Sequence, residues 1–458
     1  MKKHSTKQHG ELKLFHLTWP IFLEVFLFML MGLADVFMLS ALSDDAVAGV
    51  GSANQYIHIA ILILEVVGNG AAIVVAQYLG SKRAMEASKI IALAVTMNLI
   101  LGILMSGIFL VFSDYMMSTM NLQGEVLTYA SSYLAIVGGG IFLQAIINAL
   151  AATIRVHGWT KQTMLVSLGM NIIHVAGNYA LIFGHFGFPE LGVQGAAISS
   201  VASRFTALLV FFWLLYQAVE YKIEISYYLS LSKEYMGKIV KIGVPSAAEQ
   251  VLYQACQIVF LYYTTYIGAE ALAARQYASN ISMFTYLFAI AIGMGTSIIV
   301  GRFVGASRKE EAYVQVWSSV RSAMVFTVIM AGLVTAFREQ LVSLFTDDPI
   351  IIAIAASVLV LSVLLETGRT MNIVIINSLR AAGDAKFPVY IGLFSMVLMS
   401  LPLGYFLVFH LDMGLAGLYV AFIADEWIRA ILVYFRWKSK VWTKHALIPE
   451  PATESPAV

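Results

Sequence analysis

Long apolar runs alternate with short polar breaks along the whole chain. A helix needs about 20 apolar residues to cross the hydrocarbon core of a bilayer. Twelve runs of about that length can be read, at residues 14–42, 53–78, 90–112, 128–154, 164–186, 194–217, 239–266, 277–301, 318–337, 350–378, 388–410 and 414–435. Period-two alternation does not mark these runs, so helices rather than a barrel are expected to satisfy the backbone in lipid. The first run follows Lys2, Lys3, Lys7 and Lys13 without a small-residue cleavage site, and is read as a retained helix, not a signal peptide. The prediction is an all-α membrane protein with twelve transmembrane helices.

Composition agrees with that pattern. Of the 458 residues 60% are hydrophobic and 12% charged, against about 25% charged in a soluble domain. The net charge of +1 implies no nucleic-acid partner. The single cysteine, Cys256, excludes an intrachain disulfide and a Cys-based metal site. No HExxH pair or Walker lysine loop is present, so neither an enzyme nor an ATP-driven pump is expected. No metal and no resident cofactor are implied.

Charge placement sets the topology. Lys and Arg gather in alternate breaks: Lys82, Arg83 and Lys89; Arg155 and Lys161; Lys222, Lys233, Lys238 and Lys241; Arg302, Arg308 and Lys309; Arg380 and Lys386; Arg436, Lys438, Lys440 and Lys444. The opposite breaks hold Arg275 and Arg338 among acids such as Asp44, Asp45 and Asp114. The positive-inside rule then puts both termini in the cytoplasm of a multi-pass protein of the cytoplasmic (inner) membrane.

A shift of 225 residues superposes one half of the chain on the other. Pro20 falls on Pro245, Glu24 on Glu249, Arg204 on Arg429, and GNGAAIVVAQYLGSKRAMEA (68–87) on GMGTSIIVGRFVGASRKEEA (293–312). RVHGWTK (155–161) falls on RAAGDAK (380–386). Six spans per half is even, so the halves form a parallel repeat about a pseudo-two-fold axis along the membrane normal. The expected organisation is an N-terminus at 1–13, a six-helix lobe at 14–217, a cytoplasmic linker at 218–238, a second six-helix lobe at 239–436 and a tail at 437–458. Pro20 and Pro245 could be hinges for a bend or tolerated first-turn prolines, and are read as the latter; Gly80, Gly158, Gly305 and Gly383 are read as left-handed helix ends.

These features together resemble the multidrug and toxic compound extrusion (MATE) family. The resemblance rests on the twelve spans, the repeat, the paired RVHGWTKQTM and RAAGDAKFPVY segments, NYALIFG (178–184) with ELGVQGAAISS (190–200), and GVPSAAEQ (243–250). It covers the chain to about Trp442. It implies a cation-coupled efflux transporter with two lobes and a central cavity.

Ionisable residues inside spans cost ~2.5–3.5 kcal/mol each on insertion scales, and each is a functional candidate. Glu24, Arg204, Glu249 and Arg429 recur in both halves and are read as one structural ion pair per lobe, Glu24 with Arg204 and Glu249 with Arg429. Asp35 differs, because its repeat mate is Phe260. Glu24 and Asp35 share a helix face ~16 Å apart, and no positive neighbour of Asp35 is evident. It could take up a proton or small cation, or only reach to the outer interface. Asn171, His174 and Asn178 share one helix face, as do Gln55, His58, Glu65 and Asn69. Either stripe could face Asp35, or could serve hydrogen bonding between helices.

The resemblance assigns Asp35 to the first-helix aspartate that family members use for cation coupling. Asn178 stands where the DinF-like branch has a second aspartate. Tyr253 and Arg369 stand where the NorM-like branch has acids, so the usual second-lobe cation site is absent. Arg369 is expected to be neutralised by Glu366, Asp425 or Glu426. The candidate cation-coupling residues are Asp35, Asn178, Glu65, His174 and Asn171. The transported ion is H⁺ or Na⁺, the incomplete oxygen cage leaning toward H⁺. Candidate substrate-cavity residues are Tyr253, Gln254, Gln257, Gln276, Asn280, Met283 and Arg369, polar or adaptable side chains inside spans.

The reading is therefore a cation-coupled antiporter exporting amphipathic or cationic organic compounds by alternating access. Its partners are small organic substrates and membrane lipids, and it is read as a monomer. The alternative is a lipid or polysaccharide-precursor flippase of the same superfamily, which would want a basic central groove.

Overall fold

The computed structural model describes residues 12–448. Lys2, Lys3, Lys7 and tail residues 449–458 lie outside the described residues. Helices α1 (Leu14–Ser40), α2 (Asp44–Gly80) and α3 (Ala84–Ser118) lead into α4 (Gly124–Tyr133), which passes through a π-helical turn into α5 (Ile141–Val156). Then follow α6 (Thr160–Ile182), α7 (Gly192–Ala218) and the short α8 (Ile225–Leu229). The remaining helices are α9 (Lys233–Ile267), α10 (Ala269–Gly305), α11 (Lys309–Ala336), α12 (Arg338–Ser343), α13 (Pro349–Ala381), α14 (Lys386–Gly392), α15 (Leu401–Phe409) and α16 (Gly414–Lys438).

The chain is an all-α, multi-span membrane protein. Nine described helices are long and apolar enough to cross a bilayer, ten if the bent pair Gly124–Gly138 and Ile141–Val156 is one span. Two of the twelve expected runs fall outside that set. They lie in α9, which carries Glu249, Gln254, Gln257 and several tyrosines, and in α16, which carries Asp425, Glu426 and Arg429. Polar side chains, not shortness, separate them from the rest.

The repeat is visible in the helix bounds. Asp44–Gly80 and Ala269–Gly305 begin and end 225 residues apart, as do Gly124–Val156 and Pro349–Ala381. Gly158 and Gly383 both have positive φ, +87° and +97°. Gly80 and Gly305 do not end their helices that way. The left-handed positions are Lys82 and Ser307, and the two glycines answer a packing demand described below.

Pro20 and Pro245 are interior residues of α1 and α9, not first-turn prolines. Proline removes the N–H that residue i−4 would accept from. The freed carbonyl of His16 accepts instead from Thr160 Oγ at 3.2 Å, so the break in α1 is closed by the start of α6.

Packing divides the chain into two compact units. One holds the residues up to Leu64 together with Ser88–Ser230, and the other holds Glu65–Ala87 and the residues from Leu231 on. In the first unit α6 packs on α1 and α7, and α7 on α5, around a core including Leu39, Val50, Leu64, Phe109, Leu134 and Ile182. The segment after α7 is tied down there: Ser88 Oγ donates to the Tyr221 carbonyl at 2.8 Å, and Thr96 Oγ to that of Tyr228 at 2.6 Å. In the second unit α13 packs on α10, α11 and α16, with Phe260, Leu359, Leu365, Leu418 and Tyr419 in its core.

The end of α2 belongs to the second unit, where it crosses α10. A Cβ on Gly301 would meet Ala76, its own equivalent 225 residues earlier. One on Gly80 would collide with the Arg302 carbonyl, and one on Gly305 with the Gln77 carbonyl. The last two contacts are the same contact seen from each repeat. Two backbones approach this closely only where a side chain is absent.

Candidate functional site

In the first unit, α1, α6 and α7 bring a polar group together around Asp35. Asn178 Nδ2 donates to Asp35 Oδ1 at 2.7 Å. His174 Nε2 stands 3.5 Å from the same oxygen and shares a 2.9 Å hydrogen bond with Ser200 Oγ. Ser199 Oγ donates to the His174 carbonyl at 2.8 Å, and Asn171 Nδ2 to the Leu27 carbonyl at 3.2 Å. The i, i+3, i+7 spacing of Asn171, His174 and Asn178 makes this possible, since it holds all three on one face of α6. Asp35 keeps 20% of its side chain exposed, whereas that of His174 keeps 2%. The carboxylate is thus the accessible end of a buried network.

Arg204, one helical turn beyond Ser200, lies within Coulombic reach of Asp35 and Tyr133. Its Nη1 is buried without a hydrogen-bond partner, as are Asn171 Oδ1, His174 Nδ1 and Asn178 Oδ1. Buried polar atoms are rarely left unmatched in a folded protein, and these four remain open to further hydrogen bonds. A positive neighbour for Asp35 is not legible in the sequence, where the repeat pairs Arg204 with Glu24 instead. Glu65 is half-buried and belongs to the second unit.

The expected pairs Glu24–Arg204 and Glu249–Arg429 are corrected by the geometry. Arg155 Nη1 donates to both carboxylate oxygens of Glu24, at 3.1 and 3.2 Å, and Ser167 Oγ adds a bond at 3.0 Å. Arg380 Nη2 donates to Glu249 Oε2 at 2.6 Å. The equivalence of the two acids holds, but the guanidiniums come from the ends of α5 and α13. Arg204 sits at the level of Asp35, about three helical turns from Glu24.

Arg429 belongs to a larger network in the second unit. It bonds Asp425 at 2.7 Å and stands 3.0 Å from Glu426. Arg369 bonds Glu366 at 2.8 Å and Glu426 at 3.3 Å, and its guanidinium lies 4.9 Å from the centre of the Tyr286 ring. Asn372 Nδ2 donates to Glu426 Oε2 at 2.7 Å. These residues tie α13 to α16.

The expected cavity residues lie in the second unit without forming one cluster. Tyr253 is within Coulombic reach of Arg369, Glu426 and Arg429. Gln257 accepts from Arg275 at 3.0 Å, and Gln276 donates to Asn280 at 3.1 Å. Gln276 and Asn280 are exposed, and Gln254 and Met283 half-buried. They line neither of two recesses in the first unit. One, of about 540 Å³, is lined by Ser113, Asp114, Thr128 and Ser131 among others. The second, of about 450 Å³, is an apolar groove between α6 and α7 with Trp159, Met170 and Trp213 in its wall. Among the described residues no three His, Cys, Asp or Glu side chains gather to hold a metal.

Comparison with known proteins fits this architecture. The chain is 40% identical over 95% of its length, and 95% of the other's, to an uncharacterized transporter of Bacillus subtilis, YisQ. It is 27% identical to a probable multidrug resistance protein NorM of Thermotoga maritima, covering 95% and 94% of the two chains. Its fold matches that of a MOP superfamily transporter from Pyrococcus furiosus with a TM-score of 0.87 at 19% identity, over 96% and 98% of the two chains. A MATE family transporter in an outward-facing conformation matches with a TM-score of 0.86, also at 19% identity, over 93% and 95%. The profile of the MatE family matches residues 20–180 and 245–406, one segment in each repeat. The chain therefore belongs to the MatE family, whose members are transporters and not enzymes.

Proposed function

We propose that this protein is an antiporter that exports amphipathic and cationic organic compounds in exchange for H⁺ or Na⁺, by alternating access of two six-helix bundles. On this reading α9 and α16 also span the membrane, giving twelve spans with both termini cytoplasmic. The multidrug resistance relatives in Thermotoga and Bacillus support the substrate class.

The observation that carries the coupling role is the setting of Asp35. Its carboxylate is the accessible end of a network whose other members, Asn178, His174 and Ser200, are buried. Binding a cation or proton there changes the charge facing Arg204 and the bonds joining α1 to α6, which gives the ion a differential interaction with two arrangements of the bundle. The hydrogen bond that Asp35 accepts comes from the Asn178 amide, whereas Na⁺ asks for several oxygen ligands, so H⁺ is the favoured ion. Most intramembrane guanidiniums argue against a basic lipid groove, since Arg155, Arg369, Arg380 and Arg429 are bound to carboxylates and Arg204 lies within Coulombic reach of Asp35.

The test is uptake of a fluorescent organic cation into inverted vesicles under an imposed pH or Na⁺ gradient. Asp35→Asn should abolish gradient-driven uptake while inserting normally. Full activity in that variant would remove the coupling role.

A further inference from the structure

The described residues after α16, up to Ile448, pack back onto the protein. Trp442 is completely buried, and its ring stacks on Trp437 at 4.2 Å with an interplanar angle of 5°. Its indole N–H donates to the Trp437 carbonyl at 3.0 Å. Lys440 Nζ bonds Glu310 on α11 at 2.6 Å, and Arg436 Nε bonds Asp384 at 2.8 Å. Gly383 has no room for a Cβ because the His445 carbonyl lies against it. Leu447 and Ile448 are buried as well.

This segment ends on the α2–α10 crossing. The backbone N–H of Leu447 donates to Gln77 Oε1 at 2.9 Å, while Gln77 Nε2 donates to the Ala381 carbonyl at 2.7 Å. Gln77 is completely buried, and its own carbonyl is the group that Gly305 packs against. One carboxamide thus uses its acceptor on the tail and its donor on the end of α13, an arrangement that fixes which end is oxygen. Without the tail, a buried acceptor would lose its partner.

We propose that residues 441–448 are a latch that holds the end of α2 against α10 and α13, and so sets the balance between the closed and open states of this face. The proposal rests on the two-bundle reading above, in which this face is cytoplasmic and must open once per cycle. The latch joins a residue of the first repeat to the end of the second through contacts that the crossing itself does not supply. Freeing it removes interactions present only in the closed state, and a ligand-free equilibrium shifts by the differential free energy lost. Losing the Leu447–Gln77 bond should raise the open fraction about tenfold.

The test uses spin labels at Arg83→Cys and Arg308→Cys, exposed positions beyond the crossing, in a Cys256→Ala background in lipid nanodiscs. Three variants are compared with the parent. Leu447→Pro removes one N–H, and Ala446 already has the extended geometry (φ −51°, ψ 138°) that a following proline requires. Gln77→Met keeps the length of the side chain and leaves the tail untouched. The third chain ends after Ser439. The parent should give one short distance, and all three variants should gain a longer population. An unchanged distribution in Leu447→Pro and Gln77→Met, or a parent that is already long, overturns the latch. The readout is a distance and needs no transport, so it can fail while Asp35 coupling survives, and the reverse.

Discussion

Asn178 Nδ2 meets Asp35 Oδ1 at 2.7 Å, joining α6 to α1 through the carboxylate at the accessible end of the network. The amide supplies a donor where a second carboxylate would supply a competing charge. Asn178→Asp places two acids within hydrogen-bond distance, and two carboxylates so close share a proton. That variant should retain pH-driven efflux with a changed pH profile. Asn178→Leu should lower it by about tenfold, the loss of a hydrogen bond to a charged group. Vesicle uptake across a pH series reads both.

Breaking the Glu24–Arg155 pair from one side leaves a buried charge alone. Arg155→Met should destabilise the protein by ~3–5 kcal/mol, with most of that recovered in Glu24→Gln with Arg155→Met. Charge reversal separates the partners. Glu24→Arg should be rescued by Arg155→Glu and not by Arg204→Glu, as read by folded yield and thermal unfolding in detergent.

Arg369 neutralises Glu366, which is wholly buried. Arg369→Leu should therefore cost ~3–5 kcal/mol, and adding Glu366→Gln should restore much of it. Equal melting temperatures for the single and double variants would show that Glu366 is not the charge left uncompensated when Arg369 is lost.

The α2–α10 crossing leaves no space at Gly305. Gly305→Val should lose ~1–3 kcal/mol or more through overpacking against the Gln77 backbone. Gly332, in α11, is the control, since a Cβ there would meet nothing within 4 Å. Gly332→Ala should be neutral or stabilising by ~0.5–1 kcal/mol. Thermal unfolding in detergent compares the two.

Much of the fold is legible in the sequence because hydrophobic runs and a 225-residue repeat are properties of the chain itself. Helical spacing also puts Asn171, His174 and Asn178 on one face, and the structure turns that face to α1. The ion-pair partners are not legible. Arg155 and Arg380 also recur, but they stand in segments that read as interfacial charge clusters, while Arg204 and Arg429 stand inside apolar runs. Only three-dimensional depth shows that Glu24 is level with the end of α5 and Asp35 with Arg204. The prolines mislead because each lies near a polar flank, yet Pro20 and Pro245 stand well inside α1 and α9. The burial of Trp442, Leu447 and Ile448 in the tail is not legible because these residues have no helical period to announce it.

Gly80 on Arg302 and Gly305 on Gln77 flank Ala76 and Gly301 as the two halves of one rotation. Whatever motion pulls one of these junctions apart also bears on its twin, since both lie between the same two helices. On the two-bundle reading, a gate hung here parts at both junctions together.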